Sequence, residues 1–198
     1  MTREDRLKIS INRYFRRGLC AFACITLAWA AIRSVAFDWS DVPTGSMIPT
    51  ILIGDRIYVN KLAYDLKLPF TARQLVTWSD PKRGDIVILN SPTDGKLLVK
   101  RTVAVPGDVI EVRNDHLYVN EAAVAAPTSD AFHPDDRVTV PAGKFFVMGD
   151  NRGHSIDSRY FGFVGRGLIV GRAVGVVVSL DPGHHSMPRW GRFFAGLN

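Results

Sequence analysis

From Gly18 to Phe37 the chain reads "GLCAFACITLAWAAIRSVAF", with Arg33 as the single charge in the stretch. As a helix it would be about 30 Å long, the thickness of a bilayer's hydrocarbon core. A segment of this kind is drawn away from water and leaves the rest of the chain to build its own core. It predicts a single transmembrane helix over residues 18–37, preceded by a basic cytoplasmic tail over residues 1–17. Arg33 lies near one end of the span, where a long side chain can snorkel to the headgroups, and Trp39 follows at the depth where interfacial aromatics gather. The tail carries +4 of the formal net charge of +6. By the positive-inside rule the body from about residue 38 then lies on the periplasmic or extracytoplasmic side of the inner (plasma) membrane. "AWA", Ala28 to Ala30, offers a second reading, a secretory signal peptide cleaved after Ala30. Both readings export the body.

The same charge distribution bears on partners. A pI near 9.6 can mean nucleic acid, but only +2 remains for everything after residue 17, so no nucleic-acid partner is expected. A lipid bilayer is. Cys20 and Cys24 are the only cysteines and both fall in the span, so the exported body has no disulfide and must rely on hydrophobic burial.

After the span, helical periodicity gives way to short β-rich runs such as "RIYV", "DIVIL", "KLLVKRTVAV", "KFFVMG" and "LIVGRAVGVVVSL". Pro, Gly, Asp and Asn separate them at the density of a twisted, partly closed antiparallel sheet. The fold class is therefore mainly β, an exported domain over residues 38–181 behind one N-terminal helix. "VIEVRNDHLYV" predicts a hairpin turning at Asn114–Asp115. Residues 121–142 have few apolar anchors and read as a surface excursion, and the tail 182–198 as poorly ordered.

"VPTGSMIPT", Val42 to Thr50, holds Ser46 between a glycine and a methionine, with prolines on both sides. A serine hydroxyl becomes nucleophilic at neutral pH only where a neighbour takes its proton. The five histidines, His116, His133, His154, His184 and His185, fall in a hairpin, a loop, a turn and the tail, and no G-x-S-x-G elbow is present. Lysine is the alternative. In the strand "KLLVKRTVAV", Lys100 shares a face with Leu98 and Thr102 while Arg101 points the other way, so Lys100 can be buried and Arg101 wet. Burial disfavours the ammonium, and a neutral amine can accept a serine proton. On the strand pattern alone a snorkelling surface lysine is the favoured reading.

Four blocks in order, "TGSMIPTILIGD", "KRGDIVIL", "KRTVAVPGD" and "GDNRGHSIDSRYFG", resemble the bacterial type I signal peptidases, membrane-bound serine proteases with a Ser-Lys dyad. The resemblance implies Ser46 as nucleophile and Lys100 as general base, with no cofactor and no metal. Thr44 matches a position, usually serine, whose hydroxyl joins the Ser46 N–H in the oxyanion hole. Ser155 matches the residue that hydrogen-bonds and orients the lysine; Asp157 and Arg159 match a supporting ion pair, and Arg101 and Asp150 have structural roles. Val42, Pro43, Met47, Ile51, Leu98 and Val99 are expected to line substrate pockets selecting Ala or Gly beside the scissile bond of signal peptides of exported preproteins. "YVNKLAYDLKLPF" and Trp78 mark a surface resting on the bilayer, although Tyr64 and Phe70 can equally pack in the core. Two other readings remain: a pilin-maturing or conjugation peptidase with the same chemistry, and a non-enzymatic membrane-anchored β-domain that binds exported proteins.

Overall fold

The computed structural model describes residues 3–197 apart from 69, 70, 72, 114, 115 and 126–136. Helix α1 (Arg3–Ala36) contains the stretch Phe15–Arg33, which is long and apolar enough to cross a membrane. The helix exceeds the expected span because residues 3–17 hold neither glycine nor proline and continue the same turn. It stops one residue short of the expected end, since Phe37 already pairs with Asn60 in the first strand. At this junction the Arg33 guanidinium lies over the rings of Trp29 and Trp39, 5.8 and 5.1 Å from their centroids.

The body follows as β1 (Phe37–Asp41), β2 (Asp55–Asn60), β3 (Asp65–Lys67), β4 (Gln74–Thr77), β5 (Ile86–Asn90), β6 (Leu97–Ala104) and β7 (Val109–Arg113). Then come β8 (His116–Val119), β9 (Ala122–Ala125), β10 (Val138–Thr139), β11 (Lys144–Met148), the one-turn helix α2 (Ser158–Phe161), β12 (Val164–Gly165), β13 (Ile169–Asp181) and β14 (Met187–Pro188). An antiparallel sheet in the order β1-β2-β13-β5-β6-β11-β12, with β14 on the end of β13, curls into a half-barrel. Strand β13 bends the sheet. Its register shifts between Ile169 and Gly171, between Ala173 and Gly175, and between Val176 and Val178, and such bulges add local twist.

Both faces of this sheet are covered, which explains why "IVIL" is apolar throughout rather than alternating. Ile86 and Ile88 join Val42, Met47, Ile51, Ile57 and Leu197 on one face, while Val87 and Leu89 join Tyr64, Phe145, Val147 and Ile169 on the other. Tyr64 is thus a core residue, its hydroxyl donating to Asp85 Oδ2 at 2.8 Å; Phe70 lies outside the described residues. A second sheet, β10-β7-β8-β9, packs Ile110, Leu117 and Val119 against Val103, Phe146 and Met148. Strands β7 and β8 form the expected pair, with the expected turn residues 114 and 115 outside the described set. The ends of the expected surface excursion belong to this sheet as β9 and β10.

The C-terminal segment corrects the expectation of a loose tail. Leu197 is buried in the core, Gly196 bridges to Gly175, and Arg192 pairs with the buried Asp55 at 2.6 Å. Its anchors are single residues in a polar context, a pattern without periodicity to reveal it.

Candidate active site

The turn carrying Ser46 is held from below. Val42 N–H donates to Asp55 O and Gly54 N–H to Val42 O, so the turn leaves and re-enters the sheet at one point. Met47 and Ile51, joined by an Ile51 N–H to Met47 O bond of 2.9 Å, are fully buried and plug the turn into the core. These two side chains have no exposed surface; they are a floor, and Val42 at 4% exposure belongs with them. Pro43 and Thr44 are exposed, and Leu98 and Val99 are half-buried.

Lys100 enters from β6. The pairs Val87↔Lys100 and Leu89↔Leu98 put it on the apolar face expected for it, and it is 3% exposed. Its Nζ lies 2.9 Å from Ser46 Oγ. Burial pushes the Lys100 ammonium below its ordinary range; Asp157 pulls the other way and Arg159 adds to the drop. Because Asp157 and Arg159 form a neutral pair, their influences oppose each other and desolvation prevails. A lysine whose ammonium is disfavoured by burial loses its proton more readily, and the neutral amine beside a hydroxyl can take that hydroxyl's proton.

Arg101 is not wet, as strand alternation had suggested. It donates through Nε and Nη2 to both oxygens of Asp150, at 2.9 and 2.8 Å, while Thr50 Oγ1 donates to Asp150 Oδ2 at 2.6 Å. Asp150 therefore ties the strand of Lys100 to the turn of Ser46. The sheet's other face, which alternation treats as solvent, is here occupied by that turn.

The segment after β11 forms the back of the site. Asp157 is fully buried, accepts from Gly149 N–H at 3.0 Å and from Arg159 Nε at 2.9 Å, and caps α2. Burial alone would raise its carboxyl, but Arg159, the Gly149 amide and the nearby Ser155 hydroxyl hold it below the ordinary carboxylate range. Arg159, 2% exposed, also donates to the carbonyl of Arg152 at 2.6 Å. Ser155 is buried, yet its Oγ has no partner at regular hydrogen-bond geometry, so the expected bond to Lys100 is not formed. Gly149 is obligatory by contact: a Cβ there would collide with Ser155 Oγ and the Ser46 carbonyl oxygen. His116, His154, His184 and His185 are exposed, and His133 lies outside the described residues. Among the described residues no cluster of His, Cys, Asp or Glu is arranged to hold a metal.

Residues 15–178 match the family model described as signal peptidase, peptidase S26. The chain belongs to this family. It is 33% identical to signal peptidase I of Pseudomonas aeruginosa, over 81% of this chain and 72% of that protein. Identity to signal peptidase I of Bacillus amyloliquefaciens is 35%, over 86% of this chain and 88% of the relative. A solved signal peptidase I from Enterococcus faecalis is 33% identical and covers 48% of this chain and 98% of its own, with a TM-score of 0.38. As an S26 peptidase the protein is a hydrolase, and the reading as a non-enzymatic binding domain falls away. Asn151 of the S26 chain was not legible as a candidate site residue, because its bonds to the Gly45 and Ser46 carbonyls reach a turn about a hundred positions earlier.

Proposed function

We propose that the protein is a membrane-anchored serine endopeptidase that removes N-terminal signal peptides from exported preproteins, with Ser46 as nucleophile and Lys100 as general base. The 2.9 Å contact between a buried lysine amine and the Ser46 hydroxyl carries the reading. Neutral Lys100 accepts the Oγ proton as Oγ attacks the scissile carbonyl, and the resulting oxyanion meets the Ser46 N–H and the Thr44 hydroxyl. The ammonium then passes its proton to the leaving amine, and water, activated by the same amine, hydrolyses the acyl-enzyme. Ser155, Asp157 and Arg159 wall the lysine from behind.

The sheet register supports an extended substrate. Leu97 to Lys100 pair with β5 on one side, whereas the ladder to β11 involves only Arg101 to Ala104, leaving the other edge of Leu97 to Lys100 without a strand partner. A peptide strand can bond there through its main chain. The floor of Val42, Met47 and Ile51 is already filled by their own buried side chains, which suits Ala or Gly beside the scissile bond. The apolar helix, with exposed Trp39, Leu75, Val76 and Trp78, supports an anchored domain resting on the bilayer.

Incubation of the detergent-solubilised protein with a preprotein should yield a mature chain whose new N-terminus follows a small residue, read by mass spectrometry. In that assay kcat/KM should rise with pH through a midpoint below the ordinary lysine value of about 10.4, because the active species is the neutral amine. Leu98→Asn should hydrate that face and move the midpoint up. A Lys100 side-chain titration near 10, read by NMR in Ser46→Ala, would overturn the assignment. Topology has its own test: protease outside spheroplasts should degrade the body and leave a protected N-terminal fragment. Protection of residues 38–198 would refute it.

A further inference from the structure

We propose that Asn151 is a positioning residue that locks the Gly45–Ser46 peptide so that the Ser46 N–H points at the developing oxyanion. This rests on Ser46 being the nucleophile. Asn151 Nδ2 donates to Gly45 O at 3.0 Å, and its backbone N–H donates to Ser46 O, also at 3.0 Å. Ile48 N–H supplies a second, longer bond to Gly45 O at 3.2 Å. The Gly45–Ser46 peptide is trans, the one cis bond among the described residues being Ile48–Pro49. In a planar trans peptide the carbonyl and the N–H point in opposite directions, so fixing Gly45 O fixes the Ser46 N–H.

That N–H donates to none of the described residues and is therefore available to a ligand. The need for a lock comes from Gly45. A Cβ at this position would lie 2.9 Å from Ile48 Cδ1, so any other residue would make that side-chain end shift. Glycine also lets the following peptide rotate at little cost. Rotated by half a turn, the same peptide would aim a carbonyl oxygen at the place where negative charge forms. Asn151 holds this peptide on one side and the next carbonyl on the other, from a segment whose own position is set by Gly149 and Asp157.

Asn151→Asp keeps the shape and the backbone bond, but its carboxylate faces Gly45 O without a hydrogen to donate. Its kcat should fall about 10²-fold with KM within about threefold of the parent, the signature of an interaction made in the transition state. The pH midpoint of kcat/KM should not move in Asn151→Ala, which leaves Lys100 and the charges around it untouched. Affinity for a peptide aldehyde, whose adduct with serine presents an oxyanion, should fall in parallel with kcat/KM. Asn151→Ala, which deletes the side-chain donor without adding charge, should follow the same pattern. Wild-type kcat in both variants, or a shifted midpoint with unchanged aldehyde affinity, would overturn the assignment. Ser46→Ala serves as the control: residual cleavage there sinks the nucleophile itself, whereas a dead Ser46→Ala beside fully active Asn151 variants sinks the lock alone.

Discussion

Ser46→Ala and Lys100→Met are each expected to lower kcat/KM by roughly 10⁴- to 10⁶-fold, the scale seen when one member of a nucleophile–base unit is lost. Either change would remove the whole of the proposed proton-transfer path, since Lys100 is the sole hydrogen-bond partner of Ser46 Oγ among the described residues. Simultaneous replacement of the exposed His116, His154, His184 and His185 should leave most turnover intact. Lys100→Met should also stabilise the fold at neutral pH. Lys100 has a folded pKa below its unfolded value, so burying its ammonium costs stability at all pH values below the folded pKa. That cost fades as pH rises through the window between the two values, and the gain in the methionine variant should fade with it. Retained cleavage in either variant, or a methionine variant less stable at pH 7 than the parent, would contradict the role assigned to this lysine.

Arg159→Met is expected to cost about 3–5 kcal/mol of stability at pH 7, because it strands the Asp157 carboxylate in the interior. Both side chains are within 2% of complete burial, so solvent cannot take the place of the lost partner. The arginine also satisfies the carbonyls of Arg152 and Ser155, which would be left bare. The folded Asp157 pKa is depressed, so its stabilising contribution is present above the unfolded value near 3.9 and is lost as pH falls through the folded value. The deficit of Arg159→Met should therefore shrink in acid, where the variant's carboxyl can take up a proton. Denaturant unfolding at two pH values measures both effects. A loss below about 1 kcal/mol, the scale of an exposed pair, would mean that the pair is open to water.

Much of the site was legible in the chain. Strand alternation allowed Lys100 a buried face, the resemblance of the four blocks chose that reading, and the search for a base set aside His116, His154, His184 and His185, which the structure leaves exposed. Arg101 was misread because alternation assumes that one face of the strand meets solvent. Here that face meets the Ser46 turn, and Asp150 fills the gap between them. Met47 and Ile51 were expected as pocket walls because they flank Ser46; they point inward, since a turn standing on a sheet needs apolar anchors beneath it.

By itself the sequence determined the apolar N-terminal helix, the β-rich body, the hairpin strands and the four blocks that mark the family. These depend on composition and on periods of two and 3.6 residues, which are local properties of the chain. Only the tertiary structure decided that the C-terminal segment closes the core, that Arg101 bridges to Asp150, and that Asn151 reaches Gly45 from 106 positions away. A hydrogen bond demands a donor and acceptor about 3 Å apart in the right direction. Distances of that kind between remote segments follow from the bulges and curl of β13 and from the register of β6, which no local pattern in the chain encodes.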